Sequence, residues 1–268
     1  MIVRALLACV AVGIFAPMIG TFLVQKRLSL VGDGVGHVAF AGIGAGLLTH
    51  IWPVWTALAF AMVGAVGVEL LRGRKKASGD LALALFFYTG IALGAVFASR
   101  INHGKIDFES TKYLFGDPYA VGWGGVAAVL ALGMLITAGI LGLRKVLFAI
   151  VTDEDWARVS GLPVDPTNLV LAAVTAGVVV AGMRVVGILL IAALMVLPVA
   201  SAQLMARSFR GTLWTSVAIG AVAAAIGLGA GRALQISPGG AIVLVAAMVF
   251  AVVAIAKGAA PRSLAGGP

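Results

Sequence analysis

Nine apolar stretches, separated by short runs of charge or by turn residues, account for almost the whole chain. They cover residues 2–24, 29–49, 54–71, 80–99, 119–142, 167–183, 185–205, 212–232 and 238–256. Each is close to the roughly 20 residues that a helix needs to cross the ~30 Å hydrocarbon core of a bilayer. The pattern predicts an all-α, polytopic transmembrane bundle of nine spans, or of eight if one stretch is re-entrant. The break at Met183-Arg184 is so short that the sixth and seventh spans must form a tight helical hairpin.

Composition strengthens that reading. Of 268 residues, 62% are hydrophobic and 11% charged, with a mean hydropathy of +1.12. A soluble domain would carry about a quarter charged residues. A single transmembrane domain over residues 1–268 is expected. The 36 glycines suit helices that pack backbone against backbone. Pairs at Gly32/Gly36, Gly42/Gly46 and Gly227/Gly231 have the spacing for such contacts. Gly32, Gly34 and Gly36 also alternate around Asp33. Each costs a helix about 1 kcal/mol relative to Ala, so this segment is a candidate for local unwinding.

The net charge of +9 would suggest a nucleic-acid partner in a soluble protein. Here the basic residues cluster between spans, so topology explains them and no nucleic-acid partner is expected. With the N-terminus outside, 13 of the 19 Lys and Arg fall on the cytoplasmic side, Lys26, Arg27, Arg72, Arg144, Lys145 and Arg158 among them. The reverse threading inverts the bias, so the reading is N-terminus out and C-terminus cytoplasmic. The single Cys9 lies inside the first span and excludes both an intrachain disulfide and a cysteine zinc site. That first span is too long for a signal-peptide core and lacks a clean cleavage site.

Two connections are long enough to do more than turn. The external one, residues 100–118, carries His103, Asp107, Glu109 and Asp117, with Tyr113, Leu114 and Phe115 able to lie at the interface. The cytoplasmic one, residues 148–166, predicts a short amphipathic helix. Thr152 is the expected N-cap, Asp153, Glu154 and Asp155 fill a first turn where the helix dipole favours negative charge, and Gly161 and Pro163 stop it. A surface helix of this kind needs something to face.

The chemistry concentrates at Asp33 and His37, which lie in an otherwise apolar span. Positions i and i+4 share one helix face, so a carboxylate and an imidazole can converge on one divalent cation. Ionisable groups inside a membrane usually mark an ion path. The plain alternative is a buried pair that fixes helix register. Two ligands do not complete a metal shell, so water, another helix or a symmetry mate must contribute. His50 and His103, at the external ends of their segments, read as surface histidines. Pro198 breaks a helix hydrogen bond and kinks its span, as plain architecture or as a hinge, with Ser201 and Gln203 available to the freed backbone groups. No G-x4-G-K-[ST] motif, His-Glu-x-x-His or nucleophile elbow occurs, so the chain is not expected to be an enzyme or to hydrolyse ATP itself.

Five stretches lie in order along essentially the whole chain: Lys26-Arg-Leu-Ser-Leu-Val-Gly-Asp-Gly-Val-Gly-His37, Tyr113-Leu-Phe-Gly-Asp117, the predicted helix over 153–164, Val186-Gly-Ile-Leu-Leu-Ile-Ala-Ala-Leu-Met-Val-Leu-Pro-Val-Ala-Ser201 and Ser237-Pro-Gly-Gly-Ala-Ile-Val-Leu244. Together they resemble the membrane permease subunits of ABC importers for zinc, manganese and iron. Where that family usually places a Pro-Gly pair after the histidine, this chain has Ala41-Gly42. The resemblance implies a homodimer in the bacterial cytoplasmic membrane. It also implies a separate cytoplasmic ATPase chain and an extracytoplasmic metal-binding protein. Asp33 and His37 would contact the ion in transit, with zinc first and manganese or iron as alternatives, and no resident cofactor. The ATPase would be met by Asp153, Glu154, Asp155, Trp156, Arg158, Val159 and Gly161, with Trp156 and Val159 buried in its cleft and Glu154, Asp155 and Arg158 at the rim. The competing readings are a proton-coupled secondary transporter, which would need no docking helix, and a membrane scaffold.

Overall fold

The computed structural model describes residues 1–73, 79–101 and 108–258. Among them it contains eleven helices and no strand. Nine are long and apolar enough to cross a membrane: α1 (Ile2–Gln25), α2 (Val31–Thr49), α3 (Pro53–Gly73), α4 (Gly79–Ile101), α6 (Trp123–Thr152), α8 (Val164–Met183), α9 (Ile188–Met205), α10 (Phe209–Ala233) and α11 (Pro238–Ala256). Two short ones, α5 (Phe108–Phe115) and α7 (Glu154–Val159), sit at opposite ends of the bundle, because the 30-residue α6 runs between them.

α6 departs most from the sequence reading. It continues ten residues past the predicted end at residue 142. Arg144 and Lys145 end the apolar run, but neither they nor the residues up to Thr152 break a helix. At 1.5 Å per residue α6 is about 45 Å long and must project beyond the hydrocarbon core. Before its Gly122 N-cap, Asp117 holds a turn, its Oδ1 accepting from the Tyr119 and Ala120 amides at 3.1 and 3.3 Å. The sixth and seventh spans do form a tight hairpin, with the Val186 amide donating to the Gly182 carbonyl at 2.8 Å.

α1, α2, α8 and α9 form the enclosed centre, and α2 is the most buried of the nine. α3, α4, α6 and α11 turn apolar side chains such as Val63, Leu135 and Val252 outward, as membrane helices do. Phe15, Met18, Ile19 and Phe22 of α1 are buried with Ile191, Leu194 and Met195 of α9. All three expected glycine pairs lie at close packing. Gly32 and Gly36 face α9, Gly42 and Gly46 face α3, and Gly227 and Gly231 face the start of α11. Contrary to the unwinding considered for Gly32, Gly34 and Gly36, α2 is helical without a break from Val31 to Thr49. Packing against α4, α8 and α9 outweighs their weak intrinsic propensity. Ala41-Gly42 lies inside that same unbroken helix. α9 likewise runs through Pro198 as one helix, with Ser201 Oγ donating to the Leu197 carbonyl at 2.9 Å. Gln203 is exposed and lines a cavity at the α7 end instead.

At the α5 end three distant segments meet through backbone alone. Gly116 (φ 73°) and Gly187 (φ 101°) hold left-handed conformations that L side chains rarely adopt. A Cβ on Gly116 would lie 2.6 Å from the Gly187 nitrogen, and one on Gly239 would lie 2.7 Å from the Phe115 carbonyl oxygen. The Asp117 amide donates to the Arg184 carbonyl at 3.1 Å. This knot pins α5 and the starts of α9 and α11 together.

Candidate metal site and docking helix

Asp33 and His37 occupy the first two turns of α2. They lie toward its Val31 end. Asp33 therefore stands where the helix dipole favours a negative charge. Gly32 and Gly36 set one strip of α2 against Ala192, Met195 and Ile188 of α9. Gly34 faces Leu83, and the backbone of His37 and Val38 lies against Gly90, both on α4. At 100° per residue, Asp33 and His37 fall in the strip between those two contacts. The His37 ring meets Phe87 of α4 edge to face, with centroids 4.5 Å apart.

The two functional groups approach without hydrogen bonding. His37 Nε2 lies 3.8 Å from Asp33 Oδ1, and the side chains are 16% and 34% exposed respectively. With metal–ligand bonds of about 2.1 Å, donors at that separation would subtend roughly 130° at a shared cation, and a closure of about 0.4 Å would bring them to a tetrahedral angle. Among the described residues no group of three or more His, Cys, Asp and Glu gathers as a metal shell. His50 caps α2 in a left-handed conformation at the far end, away from this pair. His103 lies outside the described residues.

α7 is shorter than expected and starts one residue later. Asp153, not Thr152, is its N-cap, with Oδ1 accepting from the Trp156 amide at 2.8 Å. Thr152 ends α6, where its hydroxyl donates back to the Phe148 carbonyl. Gly161 (φ 79°) turns the chain after α7. Ala157 anchors the inner side against Ile150 and Val164. Trp156 and Val159 point away, 60% and 88% exposed, and Asp155 is exposed with them.

Glu154 and Arg158 also make ion pairs within the bundle. The Glu154 carboxylate accepts from Lys26 at 3.2 Å, Arg72 at 3.4 Å and Asn168 at 3.3 Å. Arg158 makes a two-pronged pair with Asp165 of α8, at 2.8 and 2.6 Å. Lys26 Nζ also donates to Asn168 Oδ1 at 2.6 Å, and Arg72 is forked onto Glu69. The acidic first turn is thus spent partly on the bundle. Burial alone would raise the Glu154 pKa, but the Lys26 and Arg72 charges outweigh it and hold the carboxyl below its ordinary value. Burial, helped by Arg72, keeps Lys26 below the usual lysine range despite Glu154. Lys26, Glu69, Arg72 and Asn168 were not singled out from sequence. The available signal was Asn168 inside an apolar stretch and a Glu69/Arg72 pair at a span's end.

Nine membrane-length helices, an enclosed central helix bearing a carboxylate–imidazole pair, and a short outward-facing helix at one end together define a polytopic transport subunit. Residues 1–257 match the ABC 3 transport family, and the chain belongs to it as a multi-pass protein of the cell membrane. It is 30% identical over 251 residues to a "Probable metal transport system membrane protein" of Treponema pallidum (strain Nichols), covering 93% of each chain. It is 27% identical to the "Manganese import system permease protein ScaB" of Streptococcus gordonii, over 93% of this chain and 88% of the relative. Among solved structures, "PsaBC from Streptococcus pneumoniae in complex with Fab" superposes with a TM-score of 0.83 at 27% identity, covering 94% of this chain and 90% of that one. The resemblance drawn from the motif stretches is met by this family and these relatives, and the reading as a proton-coupled secondary transporter loses its ground.

Proposed function

We propose that the chain is the permease subunit of an ATP-driven importer for a divalent transition metal, and that Asp33 and His37 contact the ion in transit. The observation that carries this is their placement on the most enclosed helix, partly open along the strip between α4 and α9, with neither group hydrogen-bonded to the other. A metal suits that pair better than a register-fixing role, which would draw the two into direct contact. Mixed carboxylate and imidazole donors accept manganese, iron or zinc. Zinc stands first in the sequence reading. The names of the relatives favour manganese, and we take manganese as the cargo.

The same exposure supports a homodimer. A carboxylate facing lipid is costly, and a second copy laid over the α4–α9 strip would enclose it and supply further donors. Trp156 and Val159 give α7 an apolar face for a cytoplasmic ATPase, and the charge bias puts α7 inside and α5 outside, where a metal-binding protein would deliver its load. The test is radiolabelled Mn2+ uptake by proteoliposomes holding the permease with its ATPase and supplied with the metal-binding protein, normalised to protein. Asp33→Asn keeps shape and removes the charge that offsets the cation's dehydration. It should lower uptake at least a hundredfold, and excess Zn2+ should compete weakly. Wild-type uptake by Asp33→Asn ends the ligand assignment, and stronger competition by Zn2+ than by Mn2+ returns zinc to first place.

A further inference from the structure

Lys26 has a side chain only 4% exposed, and its charge is answered by Glu154 and Asn168. Burying an ammonium group is unfavourable unless it is paired, and an apolar residue would fill the same place at less cost. The neighbouring charges have partners of their own, Arg72 on Glu69 and Arg158 on Asp165. Lys26–Glu154 is the pair that joins α7 to the hairpin bearing Asp33 and His37. The apolar contacts of α7, through Ala157, reach Ile150 of α6 and Val164 of α8 but not α1 or α2.

Short-range backbone hydrogen bonds recur along the chain from Lys26 to Gly34. Lys26 caps α1. The Arg27 amide donates to the Val24 carbonyl, Leu28 to Leu23, Val31 to Leu28 and Gly34 to Leu30, all at 2.8–3.1 Å. Arg27 holds a left-handed turn at φ 58°. The connection from Lys26 to the start of α2 is thus a short, hydrogen-bonded turn through which a displacement at Lys26 can reach Asp33.

We infer that the Lys26–Glu154 pair is the strut that carries movement of α7 into the start of α2, and so sets the position of Asp33 and His37. This rests on the reading of α7 as the ATPase docking helix. Lys26 and Glu154 are positioning residues that touch neither ATP nor metal.

Three variants test it in proteoliposomes containing the permease with its ATPase and supplied with the metal-binding protein: Lys26→Met, Glu154→Gln, and both together. The readout is Mn2+ ions moved per ATP hydrolysed. Each single change should lower that ratio at least tenfold. The double neutral variant, which leaves no unpaired buried charge, should recover wild-type abundance but not the ratio. A double neutral variant that couples like wild type overturns the strut and leaves the pair a packing feature.

A second readout does not depend on transport. Spin labels at Leu30 and Ser160, both exposed, should give one narrow distance in the full-length wild-type permease and a clearly broader distribution in the double neutral variant. Equal widths overturn the strut whatever transport does. Absence of ATP-dependent uptake by wild type, with the width difference present, counts against the permease reading alone and leaves the strut standing.

Discussion

The carboxylates of Asp33 and Glu154 lie toward the same end of the bundle under opposite terms. Glu154 has Lys26, Arg72 and Asn168 within 3.4 Å. Asp33 has His37 Nε2 at 3.8 Å, and about a third of its side chain is open. Buried polar groups that serve architecture are normally satisfied. The Glu154 cluster has that character, as charges of both signs bound into a fixed joint. Asp33 and His37 are held by the close packing of α2 on α4 and α9 while their functional atoms stay unspent. A transient ion can bind and leave such a pair. The contrast separates a site that must stay ready from a joint that must stay shut.

The largest effect that would sharpen the contrast is functional. His37→Ala should lower metal uptake about a hundredfold, some 2.7 kcal/mol in effective barrier, while the melting temperature in detergent stays at the wild-type value. A fall in melting temperature with uptake per folded molecule intact would make the pair a joint like the other. Next, Trp156→Ala should weaken association with the ATPase by more than 2 kcal/mol, as loss of an aromatic anchor does, without touching metal binding, and a co-purification titration reads this. Glu154→Gln differs from His37→Ala in adding a loss of stability to its loss of coupling. It should destabilise the permease by about 2 kcal/mol, below the 3–5 of a fully buried pair because Glu154 is partly exposed, and calorimetry in detergent measures it.

Smaller still, Asp153→Ala removes the cap of α7 and should cost about 1 kcal/mol. Hydrogen exchange should localise the loss to residues 154–159. Acid gives the least effect. Glu154 titrates below its ordinary value of about 4.3, so its stabilisation is complete above that pH and is lost as pH falls through the lower, folded-state value. A melting-temperature profile should show an acid limb that is shallower in Glu154→Gln. An unchanged limb assigns the acid sensitivity to other carboxylates.

How much of this could be read from the chain follows from what each feature depends on. The nine spans are written in local hydropathy, and all nine are present as helices. The end of α6 was missed because hydropathy marks where a helix leaves the lipid, not where it stops being a helix. Asp33 and His37 were legible as polar residues near the start of an apolar run, but which neighbouring helices flank them depends on the packing of α2 against α4 and α9. The inward turn of Glu154 was illegible. It requires Lys26, Arg72 and Asn168, from three other helices, to arrive at one place, and nothing in the stretch around residue 154 encodes that meeting.

The knot at the opposite end, where Gly116, Gly187 and Gly239 let backbones touch, is made of groups that carry no net charge. Neither acid nor salt can loosen it by changing a charge state, whereas the charged joint at the α7 end is sensitive to both. If the topology is as proposed, the fastening that tolerates any medium faces the surroundings a cell cannot control, and the one that depends on ionisation faces the buffered interior.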